Sequence, residues 1–206
     1  MTRAVAPRIP PVPTERWGDD AQAALRGTFP KEVVDRFVST GPDAVRAPNV
    51  LATLMHHPAL AGPFLAYNHF LLDKPALRPR LRELMILRVA WRTRSNYEWL
   101  QHVRLAQRLA VTSEEIAAIA DGSNAASWAP LEADLLAATD QLLDDHRIDD
   151  PTWARLAGQL DERQLIEAVF VVGTYSCLAM VFNSLQLQLD PDLQAMTAPL
   201  PQLSEA

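Results

Sequence analysis

Glu98 and His102 stand four residues apart in Ser95-Asn96-Tyr97-Glu98-Trp99-Leu100-Gln101-His102, which continues through Val103, Leu105, Ala106 and Leu109. The spacing predicts an amphipathic helix with the carboxyl and the imidazole stacked on one face. Leu105 and Leu109, further along, turn that face inward. A carboxylate and an imidazole held together there suit general acid–base work near neutral pH. The first-turn position predicts an ionised Glu98, because the helix macrodipole favours negative charge. Glu98 is then placed to bond and orient His102. Glu83, on the preceding segment, completes a candidate set of three. The same residues also have a structural reading. Ser95-x-x-Glu98 is a capping box, in which Glu98 reaches back to the Ser95 N–H. His102 is then a core histidine, and Glu83 a surface glutamate among Arg80, Arg82 and Arg88.

The elements that must position these residues read as helices. Leu81 to Trp91 carries Leu84, Leu87, Ala90 and Trp91 at helical spacing, and Ser95 to Ala110 follows after a tight connection. The two form an antiparallel helical hairpin. Upstream, Pro13 opens a helix running toward Phe29, Pro30 to Ser39 a second, and Gly41-Pro42 is a break. Pro48 and Pro58 start two more, since proline is tolerated in a first helical turn. Downstream, Thr112-Ser113-Glu114-Glu115 caps a short helix ending at Asp121-Gly122. Pro130 and Pro151 open two others, and Asp161 caps a long apolar helix through Leu187. The alternation expected of strands does not occur over a useful length. The fold class is all-α. The run Ala168 to Phe182 reads as a buried helix, shorter than a membrane span. The segment after Pro191 reads as irregular.

Composition narrows the functions. The net charge is −6, from 19 Lys and Arg against 25 Asp and Glu, which argues against a nucleic-acid surface. The arginines between Arg78 and Arg94 alternate with apolar residues and read as a solvated helix face or an interface rim. Cys177 is the only cysteine, so an internal disulfide, a Cys-x-x-Cys redox pair and a cysteine-rich zinc site are excluded. Cys177 itself reads as a small buried hydrophobe. None of the 7 glycines forms a phosphate-binding loop. His56, His57, His69, Glu98 and His102 are ligand types without metal-site spacing; the adjacent His56 and His57 point about 100° apart on a helix. Neither a metal nor another cofactor is expected. Met1 to Pro13 is proline-rich without an apolar signal core. A soluble cytoplasmic protein, with no membrane or nucleic-acid partner, is the expectation.

Leu81-Arg82-Glu83-Leu84-Met85-Ile86-Leu87-Arg88-Val89-Ala90-Trp91, followed by Tyr97-Glu98-Trp99-x-x-His102, resembles the carboxymuconolactone decarboxylase family, also called the AhpD-like fold. Asn68-His69 before the core helices, and Tyr175-x-x-Leu178-x-Met180-x-x-Asn183 leading into Leu189-Asp190-Pro191, extend the likeness. The resemblance implies an N-terminal extension with short helices over 1–40, an AhpD-like domain over 41–195 and an irregular tail over 196–206. The family's redox branch has a glutamate, two cysteines and a histidine at positions that fall on Glu83, Ser95, Glu98 and His102 here. Both thiols are absent, so an alkylhydroperoxidase-like disulfide cycle has no pair to run on. The decarboxylase branch carries a glutamate four residues before its histidine, as here. Tyr97 and Trp99 depart from the true lactone decarboxylase, so its substrate does not carry over.

The chemistry this implies is proton transfer at a carbon next to a carbonyl, in decarboxylation or isomerisation of a small organic acid or lactone. Glu98, His102 and Glu83 are the catalytic candidates. Tyr97, Tyr175, His69 and Ser95 are candidates for contacting substrate, the tyrosines as donors to an enolate oxygen. The resemblance also implies a homo-oligomer, a trimer or hexamer, and Trp91, Trp99, Trp128 and Trp153 supply apolar surface for interfaces. The alternative is a non-catalytic helical protein that binds a small molecule or serves assembly.

Overall fold

Proline opens most of the helices of this chain. Pro58, Pro79 and Pro130 each stand in a first helical turn, where the missing N–H costs nothing. The computed structural model describes residues 6–196. Its α-helices are α1 (Asp19–Arg26), α2 (Lys31–Val38), α3 (Asn49–Leu54), α4 (Pro58–Asp73), α5 (Pro79–Arg92), α6 (Asn96–Arg108), α7 (Ser113–Ala118), α8 (Pro130–Asp145), α9 (Asp150–Ala157), α10 (Glu162–Leu185) and α11 (Pro191–Gln194). Short 3₁₀ segments cover Thr14–Arg16 and Ile119–Asn124. There is no strand among the described residues, and the fold is all-α as the periodicity predicts.

Two expected elements differ. The helix expected from Pro13 to Phe29 is split, because Trp17 and Gly18 are extended. The Trp17 ring is buried there, and its indole N–H donates to the Val12 carbonyl. Residues 191–194, expected to be irregular, form a helical turn. The tail expected over 196–206 lies outside the described residues from residue 197 on.

The chain forms two compact units. One comprises the residues up to Lys74 with Ser184–Asp190, the other Pro75–Asn183 with the residues from Pro191 on. The first unit has its own core, in which α1 packs against α4 around Trp17, Leu25, Val34, Leu51, Met55 and Leu65.

In the second unit α5 is the central element, packed against α6 and α8. Ten consecutive residues, Leu81 to Ala90, are buried. That includes Arg82 and Arg88, so the arginines read as a solvated face are in part interior. Burial requires a partner for each charge. Arg88 grips Asp140 of α8 bidentately, at 2.8 and 2.9 Å, and donates to the Ile119 and Ala120 carbonyls at 2.6 and 3.0 Å. Arg80 pairs with Glu115 and Glu132, and Arg92 with Asp140 and Asp144. The chain wraps this cluster through Gly122, whose φ is +61°. A Cβ there would lie 2.6 Å from Arg88 Nη2. Gly122→Ala is therefore expected to destabilise the fold by about 1–3 kcal/mol, through strain at positive φ and displacement of Arg88. Urea unfolding checks this, and an unchanged midpoint would contradict it.

The helix expected from Asp161 through Leu187 forms as α10, whose 24 residues are by length and composition enough to cross a membrane, although its apolar run Ala168 to Phe182 is shorter than a span. One face, with Leu165, Ala168, Val172, Tyr175, Ala179 and Phe182, is buried. Glu167 ties it to the lead-in of α5 by accepting from the Ala76 and Leu77 N–H groups at 2.6 and 3.0 Å. The opposite face is exposed and carries Cys177, which is not the buried hydrophobe expected.

Candidate active site

The turn between α5 and α6 decides the site. Thr93 ends α5, Arg94 takes a left-handed conformation with φ +55°, and Ser95 opens α6. The Ser95 N–H bonds the Ala90 carbonyl at 2.9 Å, and the Arg94 N–H bonds the Trp91 carbonyl at 3.2 Å. This is a Schellman motif, and it reverses the chain within three residues. Asn183 of α10 braces the turn by donating to the Thr93 carbonyl at 2.8 Å.

The same motif rules out the expected capping box. The Ser95 N–H that Glu98 would accept is already committed to Ala90. Among the described residues neither the Ser95 hydroxyl nor the Glu98 carboxyl has a hydrogen-bond partner. Their burial follows from their place on the inner face of α6, where Ser95 is wholly buried and Glu98 is 1 % exposed.

His102 is oriented from the neighbouring helix rather than from its own. Its Nδ1 lies 2.7 Å from Glu83 Oε2, and Glu83 is fully buried. Arg82 donates to the other carboxyl oxygen of Glu83 at 3.1 and 3.3 Å. Glu83 is therefore not the surface glutamate of the structural reading. Burial pushes its carboxyl up, but the charge and hydrogen bond of His102, with those of Arg82, outweigh this and leave it below the usual value. An ionised Glu83 can only accept, so Nδ1 carries the hydrogen and Nε2 is left to exchange a proton with a bound molecule.

Glu98 is the opposite case. It has no hydrogen-bond partner among the described residues, and burial holds its carboxyl well above the usual value. This corrects the expected ionised Glu98 bonded to His102: desolvation of a fully buried group outweighs the half-charge of a helix terminus. Two carboxyl groups in one helical hairpin thus have environments that drive them apart, one toward the carboxylate and one toward the neutral acid. That separation distinguishes a base from an acid.

The remaining candidates divide. Tyr175 of α10 sets its ring edge-on to His102, with centroids 4.8 Å apart, and locks the imidazole plane. Tyr97 is buried but packs edge-on against Phe182 at 5.2 Å, and its hydroxyl accepts from Gln101. Its hydroxyl therefore serves the packing of α6. His69 is on α4 in the first unit, exposed, with its ring tilted toward Phe29. Trp99 Nε1 lies on the α6 face of Ser95 and Glu98, buried and without a partner. Sequence reasoning missed Arg82, because adjacent residues on a helix diverge by about 100° and only the length of the arginine side chain reaches Glu83. Among the described residues no three His, Cys, Asp or Glu side chains form a group fit for a metal ion.

Residues 58–141 match the model of the carboxymuconolactone decarboxylase family. This segment contains the α5–α6 hairpin with Glu83, Glu98 and His102. Over this segment the chain is similar to the carboxymuconolactone decarboxylase family. Solved structures with the AhpD-like fold agree. An uncharacterized peroxidase-related protein from Silicibacter sp. TM1040 superposes with a TM-score of 0.73 at 16% identity, over 95% of this chain and 98% of that one. A second peroxidase-related protein, from Ralstonia eutropha JMP134, gives 0.70 at 16% identity, over 93% and 97%. The debrominase Bmp8 in complex with 2,3,4-tribromopyrrole gives 0.70 at 15% identity, over 91% and 94%. At these identities the likeness is one of fold, and one fold hosts several chemistries. A search of curated protein sequences gave no match.

Proposed function

We propose that this protein, similar over residues 58–141 to the carboxymuconolactone decarboxylase family, moves protons at a carbon next to a carbonyl, decarboxylating or isomerising a small organic acid or lactone. The observation that carries the reading is the buried 2.7 Å contact between Glu83 and His102, with the Glu98 carboxyl buried one turn before His102 and held by that burial above its usual value. Glu83 and the Tyr175 ring hold the imidazole in one tautomer and one plane. In decarboxylation the electrons of the breaking C–C bond move to the carbonyl oxygen as carbon dioxide leaves. The Glu98 O–H donates a hydrogen bond to that oxygen, and His102, which has taken up a proton from solvent at Nε2 while Nδ1–H stays bonded to Glu83, then passes that proton to the carbon. In isomerisation Nε2 first removes the proton and returns it at another carbon. A neutral buried carboxyl suits the oxygen better than a carboxylate, which would repel the developing charge.

The test is general to the substrate. A panel of small β-keto acids and unsaturated lactones is incubated in deuterated buffer and followed by NMR. The expected result is catalysed carbon dioxide release, or deuterium incorporation next to the carbonyl, that is absent in His102→Ala. A panel on which wild type and His102→Ala behave alike at every carbon would sink the proposal. Thiol-dependent peroxide turnover is expected to be negligible, since Ser95 and Glu98 replace the redox pair. Cys177→Ser is expected to leave the proton-transfer activity intact. Peroxide consumption abolished by Cys177→Ser would favour the alkylhydroperoxidase reading instead.

A further inference from the structure

Three buried indoles of this chain differ in what their N–H groups meet. The Trp17 N–H donates to the Val12 carbonyl at 3.1 Å, and the Trp128 N–H to the Gly122 carbonyl at 2.8 Å. Trp99 is the most buried of the three, at 0 % exposure, yet its Nε1 has no hydrogen-bond partner among the described residues. Its ring packs against that of Trp91 on α5, with centroids 5.3 Å apart. Buried donors are normally satisfied, and an unpaired one is costly unless a bound molecule meets it. Trp99 is not alone. Residues three and four apart lie side by side on a helix, so Ser95 neighbours both Glu98 and Trp99, and His102 neighbours both from the next turn. The four side chains outline a lozenge on the inner face of α6. Ser95, Glu98 and Trp99 each bring a buried polar atom without a partner among the described residues. His102, at 7 %, is the most exposed of the four, so the lozenge is reached past the imidazole.

The donors at this lozenge carry no charge. The indole N–H only donates, the Ser95 hydroxyl donates and accepts, and burial keeps the Glu98 carboxyl toward its protonated, donating form. The Arg82 guanidinium is paired with Glu83 on the neighbouring helix. An anion placed among these groups finds no counter-charge and faces the Glu83 carboxylate behind His102, which makes its burial costly. A carbonyl oxygen needs only donors. We infer that Ser95 and Trp99 join Glu98 in an uncharged oxyanion hole that takes the carbonyl oxygen of a neutral ketone, ester or lactone and rejects a carboxylate. This rests on the proton-transfer reading and narrows its substrate to a neutral carbonyl compound and its reaction to isomerisation. His102 Nε2 takes the proton from the adjacent carbon, and the electron pair of that C–H bond moves onto the oxygen, where three donors meet the enolate. Return of the same proton at another carbon closes the cycle, with no further reactant.

NMR of the full chain with isotope-labelled tryptophan indoles tests this without turnover. The probes are cyclohexanone, uncharged and enolisable, and cyclohexanecarboxylate, an anion on the same ring. The chain has 5 tryptophans, and the indole signal lost in Trp99→Phe is that of Trp99. Millimolar cyclohexanone is expected to move it downfield, as the N–H gains an acceptor, and cyclohexanecarboxylate to leave it in place. Trp99→Phe keeps an aromatic ring against Trp91 and removes only the N–H. This variant and Ser95→Ala are each expected to weaken cyclohexanone binding about tenfold, read from the ligand's own lines, the effect of one buried hydrogen bond left unmade. Ser95→Ala gives the same test should Trp99→Phe fold poorly. A Trp99 signal unmoved by cyclohexanone would assign the N–H to water and overturn the inference. So would a carboxylate that binds as tightly, or affinity unchanged in both variants. Deuterium uptake next to the cyclohexanone carbonyl that is lost in His102→Ala, with a silent Trp99 signal, would sink the oxyanion hole and keep the proton transfer. A shifted signal without uptake on any neutral carbonyl compound would support the hole and sink the reaction.

Discussion

His102→Ala is expected to cut turnover by ~10²–10⁴, the usual contribution of a positioned proton-transfer group. The loss follows from geometry: Glu83 holds Nδ1 at 2.7 Å and leaves Nε2 as the nitrogen that exchanges the proton. Glu83→Gln removes the charge that fixes this tautomer and is expected to lower kcat by a similar order while leaving KM nearly unchanged. The double variant should be little worse than either single one, since the two residues act as a unit. Glu98→Gln separates two roles. Its amide can still donate a hydrogen bond but has no acidic proton, so Glu98→Gln is expected to keep most of kcat, and a loss of ~10²–10⁴ would mark proton donation in place of the proposed hydrogen bond. Steady-state kinetics of the four variants decides. Full activity in His102→Ala, or strictly additive losses in the double variant, would contradict the arrangement.

The two buried glutamates are expected to affect stability with opposite signs. Glu83 belongs to a paired cluster with His102 and Arg82, and removing one partner of a buried ion pair costs ~3–5 kcal/mol. Glu83→Ala should lose about that much at neutral pH. Glu98 has no partner, and a buried polar group without one costs ~1–3 kcal/mol. Glu98→Leu should therefore gain stability of that order at pH 7. The pH dependence follows from the direction of each shift. Glu83 is held below the ordinary value near 4.5, so its contribution is present above that pH and is lost as the pH falls through the folded-state value. Glu98 is held above it, so the unfolded chain releases its proton first. The cost of Glu98 is then small in acid and grows as the pH rises past about 4.5. Urea unfolding at pH 4, 5.5 and 7 should show the advantage of Glu98→Leu widening with pH. A Glu98→Leu variant less stable than wild type at pH 7 would show that the carboxyl has a partner in the folded protein.

Much of the architecture is legible in the chain. Prolines announce the helix starts at Pro58 and Pro130, and the apolar spacing of Leu81–Trp91 and Ser95–Ala110 gives the hairpin. The Thr112–Glu115 capping box forms as its residues suggest, with reciprocal bonds at 2.9 and 3.2 Å. Ser95-x-x-Glu98 has the same pattern and forms no box, because the Schellman turn after α5 uses the N–H that a box requires. A local signature holds only where no neighbouring element claims the same backbone group.

By itself the sequence determined the all-α class, the loss of the redox cysteines, and the placement of Glu98 and His102 on one helical face. These are properties of residue identity and of the 3.6-residue period, which need no neighbours. The tertiary structure decided which groups are paired. Glu83, nineteen residues away, became the partner of His102 because α5 and α6 fold back on each other, while Glu98, only four away, was left alone in the interior. The charge of a carboxyl depends on the solvent and partners around it, and these are set by packing that chain spacing does not encode.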